Sequence, residues 1–188
     1  MAETLSPTEV QKAIDYLLKL NASDLNSEEP FVTCVKLYNS TKFKNLQEQS
    51  MRTQMSISFG QICEVFSKIW KFKKECPIDL TKSTDRTTQF YILIMRMVWN
   101  TTDLFDNVCS NFLDRGLLCM LAEDFSSAPF LERANLADQS GDLIVDCING
   151  YIGICLSVVK RSVLQMRFVN DARAANMVSI LKNYTASK

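Results

Sequence analysis

Histidine is missing from all 188 residues, and that absence restricts the chemistry first. It is the side chain that ordinarily titrates near neutral pH and the commonest metal ligand. A chain without it has no usual general base and little prospect of a zinc site. The seven cysteines, Cys34, Cys63, Cys76, Cys109, Cys119, Cys147 and Cys155, include no C-x-x-C pair that would change this. Only five glycines and four prolines occur, no hairpin dipeptide separates alternating runs, and no glycine-rich phosphate loop is present. Charge of one sign is lacking as well. Twenty-one basic residues balance twenty-one acidic ones, so no net field steers the chain to nucleic acid or anionic lipid.

The opening MAETLSPTEVQ has neither the basic start nor the apolar centre of a secretory signal. The longest apolar segment, Leu143 to Val159, contains Asp146 and Asn149 and is short for a membrane span. An odd number of scattered cysteines inside apolar patterns fits a reducing compartment with buried thiols. These readings imply a cytoplasmic protein without a membrane span, cofactor or metal. The N-x-S/T triplets at Asn21, Asn39, Asn100 and Asn183 are then coincidental.

What is present is helical periodicity. Phe90, Leu93, Ile94, Met97 and Val98 fall on one helix face, and Tyr91, Ile92, Met95 and Trp99 make the other faces apolar too. Arg96 is the only charge in this run, and a helix apolar all round must be covered on most sides. A polar break follows, then two shorter helices hinged at Gly116 and running to Phe125. Upstream, Ser6-Pro7-Thr8-Glu9 is a helix start with a capping box, followed by a stripe of Val10, Ile14, Leu17 and Leu18. Ser27 stands where a second helix would begin, with Phe31, Cys34, Val35 and Tyr38 on its inner side. The run Ile57 to Phe72 predicts one further helix, ended at Cys76-Pro77, and Ser83, Thr84 or Asp85 is placed to cap the central helix. With 47% hydrophobic residues the chain fits a single all-α domain.

The central pattern recurs at an offset of 56 residues. Val98 pairs with Ile154, Val108 with Leu164, Phe112 with Phe168, Leu113 with Val169, Gly116 with Ala172 and Phe125 with Leu181. Units that repeat in this way stack because one alone cannot bury its apolar face. MVWNTTDLFDNVCSNFLDRGLLCMLAEDF and ICLSVVKRSVLQMRFVNDARAANMVSILKNY resemble armadillo repeats over about residues 87–184. In those repeats a long third helix ends near an asparagine, and a short helix, a small-residue hinge and a second helix follow.

The resemblance implies an α-solenoid: N-terminal helices over 1–84, two units over 85–184, and an insertion near 126–142, because armadillo units usually span about 40–47 residues. It also implies a non-catalytic interaction scaffold that holds a peptide or helix of a partner protein. Asn100 matches the family's asparagine, but Arg96 stands where a tryptophan is usual, and Ile152 and Leu156 occupy the two places in the second unit. The ladder that clamps basic import signals is therefore missing, and what remains suits an apolar helix or an acidic motif. Arg96, Asn100, Ile152 and Leu156 are the expected partner-binding residues. Met177 and Leu181 join them on a terminal helix with no third helix to cover it, a face suited to self-association.

Three other features compete for a role. Asp103 with Asp106, and Glu123 with Asp124, are carboxylate pairs at helix ends, where acids are commonplace, so no catalytic residue is assigned. Lys68, Lys71, Lys73 and Lys74, interleaved with Trp70 and Phe72, form the best nucleic-acid or membrane candidate, but lysines in a last helical turn answer the helix dipole. A globular helical bundle of Bcl-2-like size, regulating cell death or signalling, is the alternative to the solenoid. It lacks support from any Asn-Trp-Gly-Arg signature.

Overall fold

The computed structural model describes residues 5–42, 49–75, 86–125 and 143–161. Their order is α1 (Pro7–Leu17), a 3-10 helix (Ala22–Asn26), α2 (Glu28–Ser40), α3 (Gln49–Phe59), α4 (Ile62–Glu75), α5 (Arg86–Leu104), α6 (Asp106–Asp114), α7 (Leu117–Phe125) and α8 (Leu143–Val159). Among the described residues there is no strand, and no helix is long and apolar enough to cross a membrane. The all-α expectation therefore stands.

Local sequence sets several boundaries. Ser6 caps α1 in a reciprocal capping box: its hydroxyl accepts from the Glu9 amide, and the Glu9 carboxylate accepts from the Ser6 amide at 2.8 Å. Ser27 occupies the N-cap position of α2 but its side chain makes no capping bond. The run Ile57–Phe72 is not one helix. Gly60 and Gln61 break it into α3 and α4, and Ile57 is left 71% exposed. At Gly116 the backbone turns with φ of 65°, the left-handed region glycine enters without steric cost. The expected cap at residues 83–85, the stop at Cys76-Pro77, the insertion at 126–142, the second hinge at Ala172 and the terminal helix bearing Met177 and Leu181 lie outside the described residues.

The helices form two layers. One contains α1, α3 with α4, and α6 with α7; the other contains α2, α5 and α8. Within the second layer, neighbours run parallel. Asn26 and Thr41 bond to Thr87 and Asn100, so α2 and α5 advance together. Arg96 meets Asp146, Trp99 lies over Gly153 and Asp103 meets Ser157, so α5 and α8 do too. The first layer keeps the same sense: Pro7, Gln11 and Leu18 bond to Ser58, Gln61 and Lys68. Ser56, Gly60 and Glu64 bond in turn to Asn107, Asn111 and Arg115.

Two helices intervene between α2 and α5, and two between α5 and α8. Helices α6, α7 and α8 begin within one residue of 56 after α3, α4 and α5. Helix α5 lies at the centre, packed against α2, the 3-10 helix, α4, α6 and α8. Phe90, Tyr91, Ile94, Met95, Met97 and Val98 are fully buried, and Val98 and its repeat partner Ile154 share the same core.

One helix of each parallel pair must come close to admit large side chains. On α8 this falls to glycine: a Cβ on Gly153 would lie 2.1 Å from the Trp99 ring, and one on Gly150 would lie 1.9 Å from Met95 Sδ. Glycine inside a helix costs about 1 kcal/mol relative to alanine, so the close fit of α8 on α5 offsets a real local penalty.

Candidate interaction face

Parallel α2, α5 and α8 place three helix C-termini at one edge, where unsatisfied carbonyls and aligned peptide dipoles attract cations. The chain supplies Lys42 after α2 and Lys160 and Arg161 after α8. Arg161 holds the corner: Nε donates to Asp106 Oδ1 at 2.5 Å, and its terminal nitrogens donate to the carbonyls of Ser157 at 2.6 Å and Asp103 at 3.0 Å. Beside it, the Ser157 hydroxyl donates to Asp103 Oδ1 at 3.3 Å, and Lys160 Nζ stands 3.9 Å from the same oxygen.

Next to this corner is a cleft of about 480 Å³ lined by Tyr38, Thr41, Lys42, Trp99, Asn100, Asp103 and Leu104. Its volume lies within the roughly 300–1,000 Å³ typical of ligand pockets. Asn100 Nδ2 donates to Thr41 Oγ1 at 2.9 Å, and that hydroxyl donates to the Tyr38 carbonyl at 2.7 Å, which fixes the floor between α2 and α5. The Lys42 ammonium sits over the Tyr38 ring, 5.3 Å from its centroid. Trp99 is 38% exposed, although the apolar run predicts a covered side chain. On the exposed arc of α8 that borders Gly153, Leu156 is 54% exposed and Ile152 half-buried.

The structure thus brings together four of the six expected binding residues. Asn100 lines the cleft, Ile152 and Leu156 flank it, and Arg96 lies on the same face. Arg96 pairs with Asp146 Oδ2 at 2.9 Å, both side chains being more than a third exposed. The sequence reading of Arg96 as a lone charge is corrected by this pair. Exposed ion pairs are worth about 0–1 kcal/mol. Arg96→Ala should therefore leave the urea midpoint almost unmoved, and a large loss of stability would show a structural role that the pair does not explain. Met177 and Leu181 lie outside the described residues. Tyr38, Lys42 and Trp99 were not anticipated, yet Trp99 directly precedes Asn100, and an indole next to a matched asparagine is the signal that could have found it.

The rival features are accounted for within the fold. Lys68 Nζ donates to the Leu18 carbonyl at 2.5 Å, closing the C-terminus of α1, and Trp70 is buried. The triplets at Asn39 and Asn100 lie in α2 and α5, where Thr41 and Thr102 are buried. Among the described residues no group of three His, Cys, Asp or Glu side chains is placed to hold a metal ion.

A buried polar cluster lies behind the face. Tyr151 Oη donates to Asp124 Oδ2 at 2.6 Å, Tyr91 Oη lies 3.2 Å from the same oxygen, and the two phenol hydroxyls hydrogen-bond to each other. This ties α5, α7 and α8 together. Burial, followed by the Asp124 charge, raises the Tyr91 phenol well above its usual range. For Tyr151, burial comes first, then Tyr91 and Asp124.

The thiols behave as core side chains. Cys34, Cys63, Cys109, Cys147 and Cys155 are buried and unpaired in disulfides, while Cys119 is exposed. Burial pushes Cys63 and Cys155 up to about 12 and Cys109 to about 11, so little thiolate forms near neutral pH. In a Cys76→Ser background, mass spectrometry of the natively alkylated chain should find Cys119 labelled first and these three only after unfolding. Rapid native labelling of Cys63 or Cys155 would contradict their placement.

No family model, curated protein or solved structure matches the chain.

Proposed function

We propose that this chain is a short armadillo-like α-solenoid serving as a non-catalytic scaffold, which binds a peptide or helix of a partner protein on the face of α2, α5 and α8. The observation that carries the reading is the parallel register of these three helices, each separated from the next by two others. Helical bundles with short loops favour antiparallel neighbours, whereas equivalent helices of stacked repeats run in the same direction. Exposure of Trp99 and Leu156 on that layer supplies the apolar anchors a partner needs, since aromatic side chains dominate the energetics of interfaces. The buried thiols, none of them in a disulfide, favour a reducing, cytoplasmic setting.

A second reading, a globular helical-bundle regulator, draws on the central position of α5, which has neighbours on several sides. Self-association through residues 174–181 is a separate expectation, tested by sedimentation of the wild type against a Met177→Glu, Leu181→Lys variant.

The scaffold reading is tested by comparing what wild type and folded variants capture from native extract. Trp99→Ala and Leu156→Glu should lose the principal captured protein, while Ile57→Glu, on the other layer, retains it. Equal capture by all three variants would refute the assignment of the face.

A further inference from the structure

The cleft at the ends of α2 and α5 is rich in donors that the fold leaves unanswered. No carboxylate among the described residues reaches the Lys42 ammonium, whose only side-chain contact is with the Tyr38 ring. Asn100 uses one amide N–H on Thr41 and has a second to offer. The Tyr38 hydroxyl and the Trp99 indole N–H have no acceptor among the described residues. The one carboxylate in the lining, Asp103, is already engaged by Ser157 and faces Lys160. Around the cleft, Arg96, Lys42, Lys160 and Arg161 outnumber Asp103, Asp106 and Asp146 by one positive charge, although the whole chain is neutral. The helix C-termini that would otherwise favour a cation are served from within, because Arg161 and the threonine hydroxyls occupy several of their carbonyls.

We infer that the cleft takes an acidic side chain of the partner polypeptide, carried next to an aliphatic or aromatic residue that packs on Trp99 and Leu104. This rests on the scaffold reading above and names the chemistry its face recognises. Donors without acceptors match a carboxylate, whose oxygens can accept from several at once. The apolar neighbour removes Trp99 and Leu104 from water and so supplies most of the affinity. Gly153 is a positioning residue here, since it lets the indole lie flat enough on α8 to form a wall of the cleft.

The test uses the full chain and arrayed decapeptides with a central Asp or Glu beside Leu or Phe, together with counterparts carrying Asn or Gln, or Lys or Arg, in place of the acid. Fluorescence anisotropy of the best binders then measures affinity. The acidic peptides should bind at least tenfold more tightly than their amide counterparts. Lys42→Glu should abolish that preference, Lys42→Arg should keep it, and Trp99→Ala should weaken every peptide. Equal affinity for acid and amide that still depends on Trp99 would overturn the acidic assignment and leave the binding face in place. Tighter binding of the basic peptides would overturn it likewise. Absence of any Trp99-dependent binding would overturn both this inference and the scaffold reading.

Discussion

Replacing Asp124 with alanine should destabilise the fold by about 2–4 kcal/mol, the range for removing a buried acceptor from polar groups that stay buried. Tyr91 and Tyr151 are both fully buried and both point their hydroxyls at this carboxylate. Without it, two phenols from helices an entire unit apart in sequence lose their shared acceptor. Asp124→Asn keeps an acceptor oxygen and should cost less. Urea denaturation of the two variants and wild type measures this, and an Asp124→Ala loss below about 1 kcal/mol would mean that the cluster does not hold α5, α7 and α8 together.

The same cluster predicts an alkaline limit. Both phenols are raised in the fold relative to the unfolded chain, so the folded protein holds their protons more tightly. Their contribution is complete below the unfolded tyrosine pKa of about 10 and is lost as pH rises through the folded values. Stability should therefore fall above that pH, with Tyr91 and Tyr151 ionising last as tyrosinate absorbance is followed.

Gly116→Val should be the second large effect, at about 2 kcal/mol or more, and Gly116→Ala should cost about 1 kcal/mol. The residue has φ of 65°, and its amide and carbonyl are both used, donating to Leu113 and accepting from Cys119, so the turn cannot relax freely. A β-branched side chain in that region is a steric outlier. Alanine at 172, matched to this hinge in the sequence repeat, suggests a milder cost for a methyl than for valine. Chemical denaturation showing both variants equal to wild type would remove Gly116 as the hinge between α6 and α7.

These two sites show what sequence patterns carry and what they miss. Gly116 was legible because a glycine between two short apolar runs has a direct conformational reason. Asp124 was not, because an acid beside Glu123 at a helix end looks like any solvated acid. The clue lay elsewhere, in Tyr91 on a helix buried all round, since a buried phenol hydroxyl needs a partner. Partners 33 and 60 residues away are set only by tertiary packing.

The central helix, the Ser6 cap and the 56-residue period could be read directly because each is a local or periodic signal. The break at Gly60 was hidden inside the continuous apolar pattern of Ile57 to Phe72, although Gly60 precedes Gly116 by the same 56 residues. At that offset Phe112 falls on Ser56 and Val108 on Arg52. The earlier unit therefore matches in helix placement without matching in side chains. For the same reason α1 and α2, which align with α4 and α5, could not be fitted to the repeat from residues alone. The binding face was half legible: Asn100, Ile152 and Leu156 follow from the repeat, but Tyr38 and Lys42 join them only once α2 lies parallel to α5.

Site-specific photocrosslinking tests the interaction face most directly. Leu156 and Ile57 are both exposed apolar residues, one on each layer. A benzophenone side chain is placed at either position in the full chain and irradiated in native extract. The account predicts a discrete protein adduct from position 156 and none from position 57. Adducts from position 57 alone, or the same adducts from both positions, would contradict it.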